Sequence, residues 1–363
     1  MKKGAILILA AIILLVVAVG GSLYFGFKKY SDKQNIVGVI APRTGSQARN
    51  AEAMIRGFEL AVEKDSVFRL IIEDSKDNPV IAKNAVLKLS GQRVKAILGD
   101  SRSAITQVAA EEASKQEIIM FSSISTSDNL TKIKTFFRNV PRNELQVEAA
   151  RNLIVRHLKL DNVAIFNKND EYGSNMSKKF QQIAEPELNI VFNQSYQEGT
   201  TDFRTQIEKI KNSGANVIFT PSNYEETRNF IKQAIEMNLQ IPIIGGDDTD
   251  EELVNVAKEY EGGYYYTTFM YDKDNDFYRD FYRKFKEKYN IEPQTYDAYA
   301  YEAAMILLEA IRNTDKTTNE IKKYLISTEF NSLTGKISFS KEGEVLGRSF
   351  GIFSVKDNNL FQP

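Results

Sequence analysis

Four short stretches hold the residues best placed to do chemistry. Gly99-Asp100-Ser101-Arg102-Ser103 follows the apolar run Val94–Leu98, and Ser123-Ile124-Ser125-Thr126 follows Ile118–Ser122. Both offer hydroxyls beside backbone N–H groups, and the first leads into a helical segment, a combination that suits a carboxylate. Gly245-Gly246-Asp247 follows Ile241–Ile244 and sets a carboxylate beside glycines that allow close approach, which suits an ammonium group. Tyr172-Gly173 opens the helical segment that comes after Asn162–Asn167. Any one of these serines or threonines alone reads as a helix cap. Four such ends in one chain point instead to a small ligand carrying both charges.

Catalytic alternatives fare worse. Gly99-Asp100-Ser101 is similar to the Gly-Asp-Ser start of one hydrolase family, but a serine nucleophile needs a base. The chain has a single histidine, His157, lying between Arg156 and Lys159 on an amphipathic segment, with Ile154 where that family carries an aspartate. His157 therefore reads as a helix-surface residue, and a hydrolase using Ser101 ranks last of the readings. Asp272-Lys273-Asp274-Asn275-Asp276 imitates half of a calcium loop, yet Phe277 stands at the glycine position and Arg283 at the closing glutamate, so it reads as a solvated turn. The run Asp247–Glu252 reads as a strand end followed by an acid-rich helix start. No G-x-G-x-x-G or G-x-x-x-x-G-K-[ST] loop is present. With no cysteine, thiolate metal sites, disulfides and a lipidated cysteine are excluded. Lys+Arg 47 against Asp+Glu 48 gives a net charge of −1, without the basic footprint of a nucleic-acid binder. The expectation is a binding protein with no catalytic residues, cofactor or metal.

The elements that must position these residues alternate. Strand-like runs rich in Val and Ile occupy Ile36–Ile40, Phe68–Glu73, Val94–Leu98, Ile118–Ser122, Asn162–Asn167, Ile190–Asn193, Asn216–Thr220, Ile241–Ile244 and Gly263–Phe269. They are continuous rather than alternating, the pattern of strands buried on both faces of a parallel sheet. Helical segments lie between them, so the chain reads as repeated βαβ units with ligands bound beyond the carboxyl ends of the strands. Pro79 after Asn78 marks a helix start, and Gly91, Gly214 and Asn238 mark stops. The last third changes character, with long helices at Asp276–Tyr289 and Tyr296–Asn313, a shorter one at Asn319–Ile326, and strands at Gly335–Phe339 and Arg348–Val355. The fold class is α/β, with two doubly wound parallel-sheet lobes.

An N-terminal transmembrane helix is expected before them. Gly4–Phe27 carries no charge and is flanked by Lys2, Lys3, Lys28 and Lys29. As a helix at ~1.5 Å per residue it spans ~36 Å, enough for a ~30 Å hydrocarbon core. It is read as an uncleaved anchor on the extracytoplasmic face of the membrane. The alternative is a signal cut near Ala18, Gly20, Gly21 or Ser22, leaving a secreted or periplasmic protein.

Taken in order, several motifs resemble one family. Ile36-Val-Gly-Val-Ile-Ala-Pro-Arg-Thr-Gly45 and Gly57-Phe-Glu-Leu-Ala-Val-Glu63 resemble the opening of type I periplasmic binding proteins, nearest the branched-chain amino-acid (Leu/Ile/Val) branch. The likeness runs through Asp74–Pro79, Gly99–Gln107, Ser122–Thr131, Asn169–Gly173, Thr200–Phe203, Gly245–Asp247 and Gly335–Val355, covering about residues 35–358. It implies two lobes joined by three crossings near Pro141, Phe269 and Phe330: a first lobe from residues 35–141 and 269–330, a second from residues 142–268 and 331–363, both after an anchor or signal at residues 1–30. It also implies an extracytoplasmic, monomeric solute-binding protein. Such a protein would close on an amino acid or similar small zwitterion and deliver it to an ABC-type permease; a sensory receptor domain of the same fold is the alternative. Carried onto this sequence, the ligand carboxylate meets Ser103, Thr126 and backbone N–H groups around Ser125. The ammonium meets the Ile124 carbonyl and Asp247, with Tyr172 closing from the second lobe. Asn50 and Asn223 stand where aromatic walls are usual, and Ser101 and Arg102 where neutral or apolar residues are. The side-chain end is therefore expected to favour a polar or acidic ligand, or a small amide, over leucine.

Overall fold

The apolar runs do pair as parallel strands, for the reason their composition gives: Val and Ile without alternation leave no face for water. The structure is a computed structural model and describes residues 34–45 and 47–361. In the first sheet β1 (Asn35–Ala41) lies between β2 (Phe68–Asp74) and β3 (Ala96–Gly99). β4 (Ile119–Ser122) and the short β5 (Phe136–Arg138) continue it, giving the order β2-β1-β3-β4-β5 with all pairs parallel. The second sheet runs β15-β14-β10-β9-β8-β6-β7. Its parallel part is β6 (Asn162–Lys168), β7 (Asn189–Tyr196), β8 (Val217–Thr220), β9 (Ile243–Gly245) and β10 (Tyr264–Phe269). The antiparallel strands β14 (Phe350–Ser354) and β15 (Asn359–Phe361) finish its edge.

Helices fill the layers on either side of each sheet. Asn78 caps the helix Pro79–Gly91, its side chain accepting from the N–H of Val80 (2.9 Å) and Ile81 (3.2 Å). The helices Ala48–Val62 and Thr295–Arg312 pack against each other in the first lobe. Gly57 makes that contact close, because a Cβ there would lie 2.4 Å from the Asp297 carbonyl oxygen. Arg56 then clamps the Asp297 carboxylate with two hydrogen bonds of 2.9 and 3.1 Å.

The chain passes between lobes at Asn139–Arg142, after β10, and at Gly347–Ser349. The last of these corrects the expectation of a crossing near Phe330. β11 (Phe330–Ser332), β12 (Gly335–Phe339) and β13 (Val345–Leu346) form a small sheet that stays with the first lobe. The reason is aromatic packing. Phe339 sits edge-on to Phe121 and Phe137 at 5.7 and 5.8 Å, and to Phe330 at 5.9 Å, so this hairpin is buried against β4 and β5. The helix Thr295–Arg312 ties the three passages together. Tyr299 donates to the Met270 carbonyl (2.6 Å), Asn139 donates to the Tyr299 carbonyl (2.9 Å), and Arg348 holds Glu302 while donating to the Asn139 carbonyl (2.8 Å).

No helix among the described residues is long and apolar enough to cross a membrane, and the expected span Gly4–Phe27 lies outside them.

Candidate functional site

The carboxyl ends of both parallel sheets face one interlobe cleft, so the strand-end residues singled out by sequence meet there. Asn50, Arg102, Ser103, Ile124, Thr126, Tyr172, Asn223 and Asp247 all line it, together with Ser101. The space open to the centre of a water-sized sphere is about 50 Å³, several times the ~10–15 Å³ that one water needs.

The first lobe supplies a wall of donors. Arg102 ends the loop after β3, and the helix Ser103–Lys115 begins in the cleft with no side chain capping it. The backbone N–H groups of Ser103 and Ala104 have no described partner and carry the positive end of the helix dipole. Thr126 is 2% exposed, and its hydroxyl has no partner among the described residues. Ser103 is buried beside it, its hydroxyl oxygen accepting from the Ser127 N–H at 3.2 Å. Ser125 is the exception among the expected residues. Its side chain turns away from the cleft to share a hydrogen bond with Thr106 (2.6 Å) and to donate to the Asp100 carbonyl (3.2 Å), bracing the two loops from behind.

The second lobe supplies a carboxylate. One oxygen of Asp247 accepts from Tyr172 (2.7 Å) and from Gln146 (3.1 Å); among the described residues no side chain bonds the other and no cation pairs with it. Burial raises the Asp247 pKa, against the pull of the Tyr172 and Gln146 hydrogen bonds. Gly246 is needed here, because a Cβ would meet the Tyr172 hydroxyl at 2.3 Å. The glycine thus admits a tyrosine rather than the ligand itself. Asn223 precedes the helix Tyr224–Glu236 and reaches the cleft without a side-chain cap bond.

At one end the lobes touch directly. Asn50 donates to Gln47 (2.9 Å) on its own lobe and to Asp248 (3.1 Å) across the gap. Burial lifts Asp248 to about 7, partly offset by Asn50, with Asp247 adding repulsion. At the mouth Arg102 reaches Asp77 (2.7 Å) on its own lobe and Glu198 (2.9 Å) and Asp170 (3.4 Å) on the other. Burial works against its charge, but these three carboxylates, Asp77 foremost, outweigh it and raise its pKa. Arg102, expected at the side-chain end of the cleft, thus lines it with its charge already matched.

Sequence reasoning missed Gln47, Asp170, Asp248, Tyr296 and Gln146. Asp248 had a visible signal, its place beside Asp247, but was read as part of a helix start; the cap of the helix Glu251–Lys258 is in fact Asp250. Gln146 and Tyr296 lie on helices with no local mark, and only the packing of helix against strand end aims them inward. For the hydrolase reading, Ser101 donates to its neighbour Asp100 (3.3 Å). His157 is exposed, its ring 5.0 Å from Phe361 at the edge of the second sheet, and the cleft is lined by no imidazole.

Comparison with known proteins agrees with this geometry. The family model described as "Periplasmic binding protein" matches residues 36–359. The Leu/Ile/Val-binding protein homolog 3 of Brucella melitensis is 23% identical over 359 residues, covering 95% of this chain and 97% of the relative. Among solved structures, the branched-chain amino acid transporter substrate binding protein LivJ of Streptococcus pneumoniae, in complex with isoleucine, superposes with a TM-score of 0.81. It is 25% identical, with 90% of this chain and 98% of that one covered. A solute binding protein of R. palustris in complex with benzoate superposes at 0.80 with 18% identity, over 90% and 94% of the two chains. With the family model spanning both lobes and the cleft between them, the chain belongs to the periplasmic binding protein family.

Proposed function

We propose that this chain captures an amino acid, or a small zwitterion like it, in the interlobe cleft and delivers it to an ABC-type permease. The observation that carries the reading is the opposite character of the two walls. One wall presents the Thr126 hydroxyl and uncapped N–H groups of the helix Ser103–Lys115; the other presents Asp247 with an oxygen to spare. A carboxylate suits the first and an ammonium the second, and only a closed cleft lets one small molecule satisfy both. Ligand binding then favours the closed arrangement, because the contacts to both lobes exist only there. The proposed ligand residues are Ser103, Ile124 and Thr126 from the first lobe, and Tyr172 and Asp247 from the second. Asn50 and Asn223 line the side-chain end, and Arg102 serves as a bridge. The uncharged run Gly4–Phe27 supports attachment to the extracytoplasmic face of the membrane, and a monomer suffices for the proposed binding, because one chain supplies both walls of the cleft.

The test is a thermal-shift panel of amino acids and simple carboxylates on the purified chain. A ligand at 100 times its Kd stabilises the fold by about 2.7 kcal/mol. An amino acid is expected to raise the melting temperature. If benzoate-like acids raise it and no amino acid does, the ammonium half of the reading is wrong.

A further inference from the structure

The end of the cleft where Asn50 meets Asp248 has a hydrogen-bonding polarity that can be worked out group by group. Above about pH 7, where Asp248 is ionised, its carboxylate only accepts. Asp248 therefore requires Asn50 to turn its NH₂ toward it, and the same NH₂ donates to the Gln47 side-chain oxygen at 2.9 Å. That choice fixes Gln47 as well: its own NH₂ is left over. Gln47 is 3% exposed and lines the cleft, and its NH₂ finds no partner among the described residues. The Asn50 carbonyl oxygen likewise has no donor among the described residues. Asp248 itself has no described cation, and Arg102 is held at the mouth by Asp77, Asp170 and Glu198. One small region thus offers a buried donor, from Gln47, beside two acceptors, from Asn50 and Asp248.

We propose that Gln47, Asn50 and Asp248 select an amino acid whose side chain ends in a carboxamide. The inference rests on the amino-acid reading above and names the class within it. A carboxamide brings a C=O for Gln47 and an NH₂ for Asn50 and Asp248. An aliphatic side chain leaves the Gln47 NH₂ and the Asn50 carbonyl oxygen without a partner. A side-chain carboxylate faces Asp248 and Asp247 with no free cation among the described residues to offset them. An ammonium pairs with Asp248 but has nothing to accept the Gln47 N–H. A site built to hydrogen-bond a ligand group rejects analogues that lack it far more strongly than an apolar pocket rejects a change of size.

The experiment is calorimetric titration of the purified full chain with glutamine, asparagine, leucine, glutamate and ornithine. Glutamine or asparagine is expected to bind at least tenfold more tightly than the other three. Asp248→Ala, and separately Gln47→Met, are expected to bring the preferred amide down to the level of leucine, with thermal melting used to check the fold. Leucine, glutamate or ornithine binding tightest overturns the carboxamide assignment and leaves the amino-acid reading standing. So does an amide preference that survives in either folded variant. Silence from all five overturns the amino-acid reading and this inference with it. The wild-type ranking decides the matter even where a variant fails to fold.

Discussion

Arg348 at the hinge and Arg102 at the mouth of the cleft both hold the lobes together, but in different surroundings. The Arg348 and Glu302 side chains are 1% and 0% exposed, 2.5 Å apart, with Asn139 and Leu333 supplying the remaining backbone partners. The Arg102 side chain is 12% exposed, and one of its partners, Glu198, is 58% exposed. A fully buried ion pair cannot lose one member without stranding the other, whereas a partly hydrated one can exchange its partner for water. The hinge pair lies among all three passages and need not change as the lobes move. The mouth pair spans two lobes and must break for them to part. The comparison assigns rigidity to one arginine and adjustable closure to the other, though the two are chemically the same.

The strongest way to break this comparison is at the hinge. Arg348→Met leaves the Glu302 carboxylate buried and uncompensated, and is expected to destabilise the fold by about 3–5 kcal/mol, read as a lowered urea midpoint. A loss no larger than that of an exposed arginine would remove the distinction. The next effect belongs to the cleft. Asp247→Ala takes away one partner of the proposed ammonium contact, which typically costs ~2–5 kcal/mol. Affinity should fall by roughly 30-fold or more while the urea midpoint stays near that of wild type. Unchanged affinity by calorimetry would take Asp247 out of the site.

Arg102→Met should be milder. The expected change in unfolding free energy is smaller than at the hinge, because one of the three partners, Glu198, is open to water. The larger consequence is a shift of the unliganded protein toward an open form, seen as an increased radius of gyration in solution scattering. Raising the salt concentration should move wild type in the same direction, since exposed charges are screened. If the variant and wild type scatter alike, the mouth pair does not govern closure.

The last effect is one of pH. Burial lifts Asp248 to about 7 and Asp100 to about 6. A carboxyl that keeps its proton better when folded costs the folded state stability as pH rises from ~4, its unfolded pKa, to the folded value. For Asp248 that window ends near 7. Asp248→Asn removes the cost. The difference in melting temperature between variant and wild type, both unliganded, should therefore grow in the variant's favour between about pH 4.5 and 7.5. A difference that stays flat would mean that the carboxyl is hydrated after all.

Much of this arrangement could be read from the chain alone, because it is local. Continuous Val- and Ile-rich runs demand strands covered on both faces, and their alternation with amphipathic segments demands parallel crossovers. Parallel crossovers in turn put loops such as Gly99–Ser103 and Gly245–Asp247 at one end of each sheet. Composition then gives each loop its chemistry: hydroxyls and N–H groups on one, a carboxylate on the other. Tertiary structure decided everything that depends on partners distant in sequence. Phe339 finds Phe121 and Phe137, which keeps the hairpin after Phe330 in the first lobe. Ser125 turns to Thr106 rather than to the cleft. Arg102 spends its charge on Asp77, Asp170 and Glu198, and Asn50 spends its amide on Gln47 and Asp248. A side chain's hydrogen-bonding capacity is written in its residue type. Which part of that capacity is left over for a ligand is settled only when neighbours up to two hundred residues away have taken their share.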